Sequence, residues 1–69
     1  MEDIRVTLKA CRVNTGMTQI QFAKEVGVSP GTVTRWEDGR SFPDLMQLRK
    51  ISELSTIPMG SIISSKESI

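Results

Sequence analysis

The sequence contains no histidine, no tyrosine and only one cysteine among its 69 residues. With one thiol and no imidazole, a single chain can build neither a disulfide framework nor an ordinary zinc cluster. There is also no glycine-rich phosphate loop and no cluster of carboxylates, so the usual groups for acid–base catalysis are missing. The composition therefore predicts a protein that is not an enzyme and that binds no metal or cofactor.

Long hydrophobic runs are missing as well, since no apolar stretch approaches the ~20 residues needed to span a membrane. The first three residues, Met1 to Asp3, lack the basic start of a signal peptide. From these features we expect a cytoplasmic protein with no membrane partner. No small-molecule substrate is evident from the sequence.

Strong net charge is the next absence, because nine Lys and Arg residues against eight Asp and Glu residues leave a formal charge of +1. Dedicated nucleic-acid binders are often far more basic, so the total charge does not favour that function. The distribution favours it modestly, since basic residues outnumber acidic ones by six to three between residues 5 and 40. The basic residues are Arg5, Lys9, Arg12, Lys24, Arg35 and Arg40, and the acidic ones are Glu25, Glu37 and Asp38.

The length of 69 residues predicts one domain, with a core over about residues 4–63 and a polar tail over 64–69. Such a small core supplies a stability of only about 3 to 5 kcal/mol, so a partner surface is plausible from size alone.

One stretch, from Thr18 to Gly39, organises the rest of the chain. Its first half has apolar residues at helical spacing, and a second helical pattern follows after only about three residues. Thr18 with Gln21 forms a capping-box pattern, and Gly27 can adopt the left-handed conformation that ends a helix. Ser29 then caps the second helix, with Pro30 at its first position. So short a connection forces a steep crossing, which predicts a helix-turn-helix. The apolar residues of the two helices are Ile20, Phe22, Ala23, Val26, Val33 and Trp36, with Val28 in the turn.

Three further helices are predicted around this unit. The first runs from about Asp3 to Asn14, because the spacing of Ile4, Leu8 and Cys11 outweighs a short strand-like alternation of Val6, Leu8 and Ala10. The fourth is capped by Asp44 and has a stripe of Leu45, Leu48, Ile51 and Leu54 facing the core, and a fifth runs from Pro58 to about Ser64. The expected fold is thus an all-α, compact bundle of five helices, with the helix-turn-helix at helices 2 and 3.

The chain resembles the lambdoid phage repressor family of helix-turn-helix proteins, also called the Cro/CI or xenobiotic-response-element type. The resemblance extends from about Ile4 to Ile63 without insertion and implies a lambda-repressor-like DNA-binding domain of bacterial or phage origin. The matching residues are Arg12, Gly16, Met17, Thr18, Gln19, Phe22, Ala23, Val26, Gly27, Val28, Ser29, Thr32, Val33, Trp36, Glu37, Gly39 and Pro43.

The resemblance implies that the helix beginning at Ser29 enters the major groove of operator DNA. The base-reading positions are then Pro30, Gly31, Thr34 and Arg35, and the phosphate contacts are Thr18, Gln19, Arg12 and Arg40. Arg35 suits a forked contact to guanine or a grip on a phosphate. Pro30 and Gly31 depart from the longer polar residues of related repressors, and Asp38 would repel phosphate.

The resemblance also implies a partly buried ion pair between Arg12 and Glu37. Trp36 is expected in the core rather than stacked on a base, and Cys11 is expected to be a small core residue. Near the C-terminus the same family pairs two subunits, so a homodimer through this region is one interpretation and a lid over the monomer's own core is the other. The residues concerned are Ile57, Met59, Ile62 and Ile63.

These observations predict a sequence-specific, DNA-binding transcriptional regulator that acts as a repressor on double-stranded operator DNA. The alternative is that the same fold serves as a protein-interaction module, such as an antitoxin or an anti-repressor partner. The near-neutral charge, the Pro30-Gly31 pair and Asp38 favour that alternative.

Overall fold

The computed structural model describes residues 6–63, which form four α-helices, one short 3₁₀ helix and a two-stranded sheet. Strand β1 is Val6–Thr7, and helices α1 to α3 are Leu8–Thr15, Gln19–Val26 and Pro30–Glu37. Helix α4 is Leu45–Ser55, a 3₁₀ helix follows at Met59–Ser61, and strand β2 is Ile62–Ile63.

A single apolar core lies where the four helices meet. Its centre is formed by aromatic and branched side chains from every helix, and Val28 packs against it from the turn between α2 and α3. Each helix therefore buries one face and leaves the other in solvent. The buried core residues are Leu8, Cys11, Phe22, Ala23, Val33, Trp36, Ile51 and Ile62.

The prediction that the first helix starts at Asp3 is wrong for the described residues, because Val6 and Thr7 are extended and α1 starts at Leu8. Thr7 caps α1, and its hydroxyl accepts a hydrogen bond from the backbone N–H of Ala10. Val6 and Thr7 are both β-branched and Thr7 is also the cap, so this pair favours a strand that turns directly into a helix. Asp3 and Ile4 lie outside the described residues.

The predicted fifth helix from Pro58 to Ser64 is also wrong. Only Met59–Ser61 is helical, as a 3₁₀ turn with no side-chain cap, and Ile62–Ile63 then extends as β2. Strand β2 runs parallel to β1, with Val6 paired to Ile62 and Thr7 to Ile63. The predicted end point, Ser64, lies outside the described residues. Pairing with a strand from the other end of the chain satisfies backbone groups that a short uncapped helix would leave open.

Two apolar residues of the helical patterns are exposed, and for one of them, Leu45, the prediction that it faces the core is wrong. Ile20 in α2 is 69% exposed, and Leu45 in α4 is 70% exposed. At 100° per residue, a run spaced by three drifts by about 60° at each step, so the residue at the end of the run leaves the buried face. Ile51 in α4 is fully buried, so the stripe that faces the core begins after Leu45.

The caps predicted for the remaining helices are present. Asp44 and Gln47 form a capping box at α4, with each side chain bonded to the other residue's backbone N–H at 2.8 Å. At its other end, α4 is tied to α1, because the amide of Asn14 donates to the carbonyl of Ser55 at 3.0 Å. The cap fixes the start of α4, and the bond from Asn14 holds its C-terminal end against α1.

Candidate nucleic-acid interface

Hydrogen bonds cap both ends of α2, and the turn that leads from it to α3 is short. The hydroxyl of Thr18 accepts from the N–H of Gln21, and the Gln21 side chain accepts from the Thr18 N–H, which completes the predicted capping box. Gly27 ends α2 in the left-handed region at φ 93°, where a side chain would be strained. The N–H groups of Gly27 and Val28 both donate to the carbonyl of Ala23, at 2.8 and 2.9 Å. The direction of α3 relative to α2 is thereby fixed.

Helix α3 begins as the sequence predicts. The hydroxyl of Ser29 accepts from the backbone N–H of Thr32 at 3.2 Å, and Pro30 occupies the first turn. The helix has an inner face, where Val33 and Trp36 are 1% and 2% exposed, so the prediction of a core tryptophan is confirmed.

The outer face of α3 contains all four of the predicted base-contacting positions, each of them exposed. By helical geometry, these positions centre about 160° away from the direction of Val33 and Trp36. The structure therefore brings Pro30, Gly31, Thr34 and Arg35 together on one surface.

The Arg35 side chain folds back along α3 toward its N-terminus. Its Nη2 donates to the hydroxyl of Thr32 at 3.1 Å, and its Nη1 would lie 3.6 Å from a Cβ built on Gly31. A guanidinium has five N–H donors, and among the described residues only this one bond uses any of them. Enough donors remain for a two-pronged contact.

Thr34 has a different character. Its hydroxyl can donate to the carbonyl of Pro30 at 3.2 Å or to the amide oxygen of Gln19 at 3.3 Å. Because a hydroxyl has one hydrogen, Thr34 offers an approaching molecule its oxygen lone pairs and its methyl group.

Behind this surface, Arg12 and Glu37 form an ion pair between α1 and the end of α3. Arg12 Nε lies 2.7 Å from Glu37 Oε2, and the two side chains are only 15% and 6% exposed. Arg12 Nη2 also reaches Glu37 Oε1 at 3.4 Å, while Nη1 donates to the carbonyl of Met17 at 3.1 Å. The guanidinium thus binds both the end of α3 and the segment that leads into α2.

Gln19, a predicted phosphate contact, links this ion pair to the outer face. Its Nε2 donates to Glu37 Oε1 at 2.9 Å, and its Oε1 accepts from Thr34. A continuous polar connection therefore runs from Arg12 through Glu37 and Gln19 to Thr34. The two remaining predicted phosphate contacts are exposed: Thr18 at the start of α2 and Arg40 in the loop after α3.

Asp38, the acidic departure from the family pattern, is the exposed C-cap of α3. Its carboxylate lies at the negative end of the helix dipole, which makes this end of α3 less attractive to phosphate than the N-terminal end.

The predicted dimer residues lie largely against the chain's own core. Ile62 is 9% exposed and Ile57 packs against the core cluster, while Met59 is half-buried in the 3₁₀ helix. Ile63 belongs to β2.

A separate set of large apolar side chains is more than half exposed, and sequence reasoning did not single it out as a surface. These residues are Phe42, Leu45 and Met46 after α3, Ile20 in α2 and Val13 in α1.

Cys11 is fully buried in the core. Burial raises the pKa of its thiol above the ordinary value, and a hydrogen bond with Ser55 acts in the opposite direction.

Among residues 6–63, no group of three or more His, Cys, Asp or Glu side chains is arranged to hold a metal ion. None of the helices described is both long and apolar enough to cross a membrane.

One functional candidate was missed. Thr32 was identified only as part of the family pattern, yet its hydroxyl contacts both Ser29 and Arg35. The i, i+3 spacing of these three residues on one helix was the available signal.

Comparison with known proteins agrees with this architecture. A family model described as helix-turn-helix, of the Cro/CI type, matches residues 8–54. The HTH-type transcriptional activator BcrR of Enterococcus faecalis is 29% identical to this chain over 62 residues. That alignment covers 90% of the chain and 30% of the relative, so the chain spans less than a third of the relative's length. No solved structure matches at a significant level.

Proposed function

We propose that this chain, which belongs to the helix-turn-helix family, is a sequence-specific DNA-binding regulator of transcription that inserts α3 into the major groove. The observation that supports the proposal best is the division of α3 into two faces. Val33 and Trp36 anchor one face in the core, while Thr34 and Arg35 are exposed on the other.

The major groove of B-DNA admits one α-helix and presents a different donor and acceptor pattern for each base pair. Arg35 supplies hydrogen-bond donors, which suit the O6 and N7 acceptors of guanine. Thr34 supplies lone pairs and a methyl group, which suit an exocyclic amine or the methyl of thymine. The two side chains therefore favour different base pairs.

Phosphate contacts at the start of α2 would hold α3 in the groove. The Thr18 hydroxyl accepts from Gln21 and still has its own hydrogen to donate. The first N–H groups of α2 have no partner within the helix, and the helix dipole favours an anion there. Arg40 adds a flexible positive charge on the loop after α3. Such contacts position the protein without reading sequence.

Arg12 is proposed as an orienting residue first and a phosphate contact second. Three of its five donors already face Glu37 and Met17. Gln19 is also engaged with Glu37, so a phosphate bound by Gln19 would have to compete with that hydrogen bond.

The full proposal is a homodimer that represses transcription when its operator overlaps a promoter. Two copies would place their α3 helices about 34 Å apart on a near-palindromic site. BcrR is named as an activator, and the sign of regulation depends on where the operator lies relative to the promoter. A promoter fusion with the operator moved upstream of the promoter tests the sign: repression should disappear.

A protein-interaction module remains the second candidate, and the exposed Phe42, Leu45 and Met46 favour it. Three large apolar side chains within five residues are typical of a surface that binds another protein.

Titration of the protein into DNA from upstream of its own gene, at 50 and 200 mM salt, separates the two functions. A DNA-binding regulator should bind a specific fragment and lose at least about tenfold in affinity at the higher salt concentration. Weak binding that ignores salt and sequence would remove the DNA proposal and leave the interaction module.

A further inference from the structure

The hydroxyl of Thr32 lies at the centre of a short polar chain on the outer side of α3. It is 2.9 Å from the hydroxyl of Ser29, and it accepts from Arg35 Nη2 at 3.1 Å. Ser29 is itself fixed as the helix cap, because it accepts from the Thr32 backbone N–H. The hydroxyl that accepts from Arg35 is therefore itself hydrogen-bonded to the cap of α3.

Gly31 completes the arrangement from the other side. The nearest atom to a Cβ built at this position would be Arg35 Nη1 at 3.6 Å, which is ordinary van der Waals contact. The guanidinium thus lies over the bare backbone of Gly31 and is tied at its other nitrogen to Thr32. A larger side chain at position 31 would occupy the space that the guanidinium now fills.

We infer that Thr32 is a positioning residue that holds the Arg35 guanidinium over Gly31, ready for a two-pronged contact with one guanine. This inference rests on the proposed DNA-binding function. It adds the residue on which the strongest discrimination between base pairs depends. An unrestrained arginine must lose its rotamer freedom when it binds a base, whereas a guanidinium already held in place loses less. With one donor on Thr32, four remain, and guanine O6 and N7 require two.

The lack of a side chain at Gly31 leaves space for the Arg35 guanidinium. Pro30 and Gly31 cannot hydrogen-bond a base through their side chains, so they contribute no readout of their own. Their small size leaves the N-terminal half of α3 open for the guanidinium, which then reads a base next to Gly31. Arg35 then contacts the base that a longer side chain at position 31 would otherwise contact.

A matched pair of variants at position 32 tests the inference. Thr32→Val keeps the shape of the side chain and removes the hydroxyl, whereas Thr32→Ser keeps the hydroxyl. The DNA probes are an operator selected from a random duplex library with the parent protein, and the set of its single-base variants. The measured quantity is the affinity ratio between the operator and each variant.

We expect Thr32→Val to reduce discrimination at one guanine by on the order of three- to tenfold, which is the effect of one hydrogen bond. Discrimination at the other base pairs and the dependence of affinity on salt should not change. Thr32→Ser should restore the ratio. In an Arg35→Ala background, Thr32→Val should have no further effect on discrimination, because the guanidinium that it positions is gone.

Three results would overturn the inference. The first is an unchanged ratio in Thr32→Val, and the second is a loss that persists in the Arg35→Ala background, which would make Thr32 a structural residue only. The third is an Arg35→Ala variant that weakens binding evenly on all sequences. These outcomes leave the proposed function intact, whereas a parent protein that selects no operator would overturn both.

Discussion

The α2–α3 unit and the strand pair β1–β2 are stabilised by partners at very different distances along the sequence. In α2–α3 each cap finds its partner three residues away, as Thr18 does with Gln21 and Ser29 with Thr32. In the sheet, Val6 pairs with Ile62 from the opposite end of the described chain. One region is therefore encoded locally, and the other exists only after the domain has closed.

This difference suggests that DNA binding and stability depend on different regions of the molecule. The exposed side of α2–α3 contains the side chains that we propose contact DNA, and the sheet joins Val6–Thr7 to Ile62–Ile63 beside the core. Substitutions on the exposed side of α3 should therefore change binding with little effect on stability, and substitutions in the sheet should do the reverse. The following predictions test that separation.

The largest expected effect is that of Glu37→Ala, which breaks the link between α1 and α3. The substitution leaves Arg12 charged, largely buried and without its carboxylate, so we expect a loss of about 3 to 5 kcal/mol in the free energy of unfolding. Because the whole domain is expected to have only about 3 to 5 kcal/mol of stability, far-ultraviolet circular dichroism should show the single variant largely unfolded in water. Urea denaturation of the parent gives the reference value.

The matched control for Glu37→Ala is the double variant Arg12→Met/Glu37→Leu, which removes both charges and keeps apolar volume. It should recover most of the lost stability. A single variant that loses under about 1 kcal/mol would show that the ion pair does not hold α3 in place.

Ile62→Ala should have the second largest effect, because it removes a buried side chain from β2. We expect a loss of about 2 to 4 kcal/mol in stability, and about 0.5 to 1.5 kcal/mol for the milder Ile62→Val. DNA affinity per folded molecule should stay within twofold of the parent value, measured by titration at a temperature where both remain folded. A large loss of DNA affinity in folded Ile62→Val would instead show that the β1–β2 strand pair takes part in binding, for example as a dimer contact.

Arg35→Ala should show the opposite pattern. The exposed side chain contributes little to the core, so the unfolding free energy should stay within about 0.5 kcal/mol of the parent value. Affinity for the specific operator should fall by about 1 to 3 kcal/mol and sequence preference should relax. Arg35→Lys retains the charge without the fork, and it should restore nonspecific binding but not discrimination. If Arg35→Ala instead weakens binding equally on every sequence, Arg35 is a phosphate contact and not a base contact.

The smallest predicted effect concerns Cys11 and pH. Burial raises the pKa of the folded thiol, so above about pH 8.5 the unfolded chain releases this proton first. The free energy of unfolding should therefore be unaffected by Cys11 below that pH and fall as pH rises toward the folded pKa. Comparing the parent with Cys11→Ala by thermal denaturation at several pH values isolates this contribution. Identical pH profiles for the two proteins would contradict it.

Local patterns predicted much of the structure. The capping box at Thr18, the proline start of α3 and the capping box at Asp44 were all identified from residues within one turn of each other. The burial of Trp36 followed from its spacing to Val33. The positions expected to contact DNA were taken from the family resemblance, and their exposure on one face is compatible with that role.

Spacing alone failed where the outcome depended on distant parts of the chain. Ile20 and Leu45 satisfy helical periodicity, but the rest of the core packs against other faces of their helices and leaves both side chains exposed. The Thr32 bond to Arg35 and the Gln19 bridge between Glu37 and Thr34 depend on rotamers, which a residue pattern does not specify.

The sequence by itself determined where α2, α3 and α4 begin, because a cap and its partner lie within one helical turn and need no other part of the molecule. With no histidine and one cysteine, these 69 residues contain no imidazole and cannot form a disulfide within one chain. Only the tertiary structure decided that Ile62–Ile63 pairs with Val6–Thr7 in a parallel sheet and does not continue a fifth helix. A two-residue strand has no stability of its own, and it forms only when the packed helices bring its partner alongside.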